Sequence, residues 1–126
     1  MVLLFHLLEQ LEGGAQLDSD RRGDLEIFAK YGVTTVNSLG DGEAVIAVRD
    51  AASPTEARAR LLAAGAVIAG NASAARAAAI ANAEAGVDWL KLRVDDNLGT
   101  GPKMSWDAVQ AVLDVGEERG LRVATH

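Results

Sequence analysis

No cysteine occurs in the chain, which excludes disulfides and any cysteine-ligated metal or redox centre. A bound metal would have to take His, carboxylate or lysine-derived ligands. Histidine is itself scarce, with His6 and His126 the only two. Basic clusters are missing as well. Arg21-Arg22 is the only adjacent basic pair and the net charge is −6, so the electrostatic footprint of a nucleic-acid binder is absent. No hydrophobic run is long enough to span a bilayer, and the apolar start from Met1 to Leu8 lacks a basic leader and a small-residue cleavage site. These absences lead to the expectation of a cytoplasmic protein with no membrane partner. Aromatic residues make up only 4% of the chain. A core without large anchors must be built from Ala, Val, Leu and Ile, with helices that approach closely.

What is present, 49% apolar and 24% charged residues over 126 positions, is the composition of one globular domain, residues 1–126. One local pattern recurs along it. A helical stretch ends at Gly and an apolar strand begins at once, at Gly32, Gly65, Gly86 and Gly120. A glycine just past a helix takes the left-handed conformation that closes it. The steps between these glycines are 33, 21 and 34 residues, and the two longer ones fit a helix, a strand and their loops. Repeated units of that size force a parallel sheet with right-handed crossovers.

The pattern predicts strands at 2–8, 33–39, 66–69, 87–94 and 121–126, and helices at about 19–31, 54–64, 72–85 and 105–119. Ser53-Pro54-Thr55-Glu56 carries the N-cap Ser, first-turn Pro and back-reaching Glu of a capping box, which is the reason for starting a helix at residue 54. Ser105, with Asp107 two residues on, opens the last helix in the same way. Residues 43–50 fit both a short strand and a buried helical turn, and are read as helix. The fold class expected is α/β, a partial TIM-type barrel of about five parallel strands with flanking helices.

Alternation in Asp88-Trp89-Leu90-Lys91-Leu92-Arg93-Val94-Asp95 puts Lys91, Arg93 and Asp95 on one face of a strand and Leu90, Leu92 and Val94 on the other. In a closed barrel the Lys91 face points into the lumen at the end where such barrels keep their chemistry. Burial disfavours the charged form of a lysine, and only the neutral amine attacks a carbonyl or carbon dioxide. The alternative is an edge-strand lysine snorkelling to water. His126 lies one unit later, so its strand neighbours that of Lys91 and the two side chains are placed to share one ion. His6, between Phe5 and Leu7, is a core or rim residue unless the first strand turns it toward that ion. Asp95 and Asp96 past the fourth strand, and Asn37 and Asp41 past the second, are candidates to hold substrate or a cation, although acidic loop pairs are commonly just solvated. Gly99-Thr100-Gly101 leaves open a phosphate-binding loop, on fold analogy alone.

The stretch Gly86–Asp96, then Gly101-Pro102-Lys103-Met104, then Gly120–His126, resembles the metal-dependent amidohydrolases, nearest the branch with imidazolonepropionase-like and Xaa-Pro dipeptidase-like members. Residues 25–50 are similar to that branch more loosely, through Phe28, Tyr31–Val36 and Leu39-Gly40. The resemblance implies that Lys91 is carboxylated and bridges two divalent metals, zinc being the expected ion. It makes His126 the fifth-strand ligand and His6 one half of a first-strand His-x-His pair, whose partner positions hold Leu4 and Leu8. A metal-bound hydroxide would then attack the carbonyl of a small amide or dipeptide and cleave its C–N bond. The family's sixth-strand His and eighth-strand Asp have no counterpart in these residues, and a whole barrel takes on the order of 250 residues. The expectation is therefore an amidohydrolase fragment or shortened member, weak or inactive alone. The alternative is a non-enzymatic α/β half-barrel that binds a ligand, or forms a homo-oligomer through its open sheet edges.

Overall fold

The computed structural model describes residues 2–5 and 17–126, with side chains from Arg22 onward. Five short strands alternate with four helices: β1 (Val2–Phe5), α1 (Leu17–Lys30), β2 (Thr35–Ser38), α2 (Ala44–Asp50), β3 (Arg60–Ala63), α3 (Ala72–Glu84), β4 (Trp89–Leu92), α4 (Trp106–Arg119) and β5 (Arg122–Thr125). Every strand pairing is parallel, as the repeated strand-helix units require. Strands β1, β2 and β3 form one sheet and β4 and β5 another. Backbone hydrogen bonds link the start of β4 to the end of β3 and to the connection between them. The Asp88 N–H donates to Ala63 O at 2.7 Å, and Ile68 bridges to β4 by donating to Lys91 O at 2.7 Å and accepting from Arg93 N–H at 3.1 Å. Strand order thus follows chain order.

The core lies between the sheets and the helices and contains no aromatic residue among its buried members. Leu90 and Leu92 are fully buried, and burying one such side chain is worth roughly 1.5–3 kcal/mol. Small residues let the helices close up: Ala75, Ala79 and Ala108, all at 0% exposure, lie in α3 and α4. Gly116 of α4 sits so near β5 that a Cβ there would stand 2.8 Å from Val123 Cγ2 and 3.0 Å from Leu121 O. Caps fix the helix starts. Asn71 accepts from Ala74 N–H at 3.0 Å, and Ser105 accepts from Ala108 N–H at 3.3 Å. Gly120 closes α4 in the left-handed conformation at φ 65°.

The third unit departs from expectation. No helix occupies 54–64. Ser53–Glu56 makes only a turn, with Glu56 N–H on Ser53 O, and residues 60–63 are a strand. Pairing with β2 explains the change, since Leu61 and Ala63 are buried beneath the helices and Arg60 N–H donates to Thr34 O at 2.8 Å. The strand expected at 66–69 is reduced to the single bridging residue Ile68. Gly65 is left-handed, at φ 69°, but it ends no helix; it turns the chain out of β3 beside Asn82 and Val87. Residues 44–50 are helical, as read.

Candidate functional site

The strand faces sort the polar residues. Leu90 and Leu92 of β4 point into the helix-covered core, so Lys91 between them points to the opposite side, where it is only 4% exposed. On β2, Val36 belongs to the core and Asn37 beside it takes the opposite side, at 5% exposure. The Asn37 Oδ1 is buried and accepts no hydrogen bond among the described residues. A buried amide oxygen without a donor costs about 1–3 kcal/mol, so this position is suited to a ligand N–H. Lys91 and Asn37 therefore bring an amine and an acceptor carbonyl to the face away from the helices.

In the β4–β5 ladder Lys91 stands opposite Ala124, which places His126 two residues further along the same face. The His126 backbone prolongs the ladder by donating to Leu92 O at 3.1 Å and accepting from Val94 N–H at 3.0 Å. Its side chain is about half exposed, with Nδ1 3.9 Å from Asp95 Oδ2. That separation is too long for a hydrogen bond and leaves the ring within reach of the carboxylate's charge.

Asp95 and Asp96 are built into their own loop. Asp95 Oδ1 accepts Asn97 N–H at 2.7 Å, and Asp96 Oδ1 accepts Gly99 N–H at 3.2 Å. Each still has a second carboxylate oxygen. Asp41 accepts the hydroxyl proton of buried Ser38, which lies at the end of β2. His6 lies outside the described residues. Among those residues no three His, Asp or Glu side chains gather closely enough to hold an ion.

Two features near these residues were not singled out from sequence. Arg122 stacks on the Trp89 ring at 5.4 Å, two residues before Lys91 on the same face of β4. The other is the bond from Ser38 to Asp41, at the end of β2 on the side opposite Asn37. Alternation in residues 88–95 already places Trp89 with Lys91, but the register that brings Arg122 over it is a property of the sheet.

No family model matches the chain, and no curated protein matches it. Several solved structures share its fold, among them these two. One is a Xaa-Pro dipeptidase with methionine bound in its active site, at TM-score 0.72 and 21% identity, covering 98% of this chain and 40% of that one. The other is a Bifidobacterium longum protein assigned as a prolidase, at TM-score 0.68 and 24% identity, covering 85% of this chain and 30% of that one. At these identities the likeness speaks for the fold, and the chain spans well under half the length of either protein. Among the described residues no helix is long and apolar enough to cross a membrane.

Proposed function

We propose that this chain carries the first part of an amidohydrolase-type (β/α) barrel whose reaction is hydrolysis of a C–N bond in a small dipeptide-like amide. The observation that carries the reading is Lys91: a lysine buried on the helix-free face of the fourth strand, one strand before His126 on the same face. That is where the resemblance puts a carboxylated lysine and an imidazole ligand. The dipeptidase and prolidase structures support it, because this chain shares its fold with a part of each. The buried Asn37 Oδ1 supports it further, as an acceptor for the N–H of a bound amide.

The described residues do not by themselves fit a binuclear metal centre, for among them no three His, Asp or Glu side chains gather to hold an ion. A divalent ion such as zinc would need donors from outside these residues. What the chain contributes is positional: Lys91 sits in a dry site, His126 stands at the rim, and Asp95 and Asp96 hold the loop beside them. Activity of the isolated chain is accordingly expected to be low.

Elemental analysis with native mass spectrometry tests this. Bound metal together with the added mass of one carbon dioxide on Lys91 supports the hydrolase reading, and an unmodified, metal-free chain counts against it. A second reading is favoured by the edges: among the described residues β1 and β5 each pair on one side only, which leaves strand edges able to recruit another copy. A metal-free dimer in the same spectrum supports that non-enzymatic half-barrel.

A further inference from the structure

At the end of the strands opposite the Lys91 site lies a cavity of about 490 Å3, bounded by Thr34, Arg60 and Asp88 at the strand starts and by the 49–59 connection. Three of the chain's nine arginines, Arg49, Arg58 and Arg60, line it, in a protein whose net charge is −6. Their partners differ. Arg49 is held by Asp50 at 2.8 Å and Asp88 at 2.7 Å, and these contacts, the Asp50 hydrogen bond first, keep its guanidinium above the ordinary value against the effect of burial. Arg58 pairs with Glu56 at 2.9 Å and donates to Val48 O at 3.2 Å. Its side chain is only 7% exposed, yet its Nη1 is buried without a hydrogen-bond partner among the described residues. Arg60 is exposed and forms no ion pair among those residues.

We propose that this cavity is a binding site for a small oxyanion ligand, a phosphate or a carboxylate, held by Arg60, with the Arg49 and Arg58 guanidinium groups adding positive charge to the wall. Glu56 and Asp88 are the carboxylates in the wall, and each is already matched by an arginine, which leaves the Arg60 charge uncompensated. Charge-assisted hydrogen bonds from a guanidinium to an oxyanion are shorter and roughly twice as strong as neutral ones. The volume falls in the range of small-molecule sites and exceeds what a bare anion fills. The site is independent of the hydrolase reading, since it lies at the other end of the strands.

Calorimetric titration of the full chain at low ionic strength, with inorganic phosphate and separately with citrate, tests the proposal. Saturable binding of either probe is expected. Arg60→Gln should weaken it about tenfold, the loss of one charged hydrogen bond, and Arg60→Lys should weaken it less. Arg119→Gln, at an exposed position in the last turn of α4, should leave it within about twofold. Preference for phosphate assigns a phosphorylated ligand, and preference for citrate a carboxylate. Absence of saturable binding by both, or equal weakening by Arg60→Gln and Arg119→Gln, overturns the site.

Discussion

Arg49 Nη1 donates to Asp88 Oδ2 at 2.7 Å, tying the end of α2 to the start of β4 across 39 residues of sequence. The same carboxylate oxygen accepts Ala63 N–H at 2.8 Å, so one side chain fastens the end of β3 as well. This carboxylate lies at the seam between the two sheets, next to the backbone bond from Asp88 N–H to Ala63 O.

Asp88→Ala removes both bonds and leaves the Ala63 N–H without its acceptor. The expected loss is about 1–3 kcal/mol, the range for leaving a buried donor unsatisfied. Asp88→Asn keeps an acceptor for Ala63 and should lose less. Urea melts of the two variants give the order; equal losses would mean that the backbone bond does not depend on this side chain.

Lys91→Met tests the other end of the strands. Methionine fills a similar volume and keeps an apolar contact surface, so the fold should persist with a thermal midpoint within about 4 °C of the parent. If Lys91 is the carboxylated lysine of the proposed site, the variant loses the added carbon dioxide mass and the bound metal together. Metal retained at the parent level in this variant would remove Lys91 from the site.

Gly116→Ala isolates packing from backbone conformation, because Gly116 is an ordinary helical residue with its Cα hydrogen against β5. The new methyl would meet Val123 Cγ2, which can rotate, and Leu121 O, which cannot move without the chain. Overpacking of this kind costs about 1–3 kcal/mol. Gly23→Ala in α1, where a Cβ meets nothing within 4 Å, is the matched control and should stabilise slightly. Thermal denaturation of the pair measures the difference.

How far the fold could be read in the sequence follows from these contacts. The stretches around β2, β4 and β5 were legible because each apolar run follows a left-handed glycine, and α3 and α4 because Gly86 and Gly120 close them and Ser105 opens the second. The third unit was not. Ala57-Arg58-Ala59-Arg60-Leu61-Leu62 has no β-branched residue and follows a capping-box signature, so local propensity argues for helix. Pairing with β2 and burial of Leu61 and Ala63 override it, and neither is local. The same holds for function. Lys91 was visible through alternation around it, whereas the convergence of Arg49, Arg58 and Arg60 on one cavity exists only once β3 is a strand and the connection from α2 folds over its start.

The loop after β4 offers a last test, and it runs toward greater stability. Asn97, Leu98 and Gly99 follow one another at φ 50°, 58° and 82°, a left-handed stretch held by Asp95 and Asp96 through their bonds to Asn97 and Gly99 N–H. Asparagine and glycine tolerate that conformation, but a leucine is strained there by roughly 1–2 kcal/mol. The Leu98 side chain is fully exposed, so it recovers nothing through burial. Leu98→Asn should therefore raise stability by about 0.5–1 kcal/mol. Leu98→Val, with a β-branched side chain at the same positive φ, should lower it. The two changes have opposite signs at a position that touches no core residue, so a melt showing both destabilised would mean that Leu98 makes a contact in solution that its exposure hides.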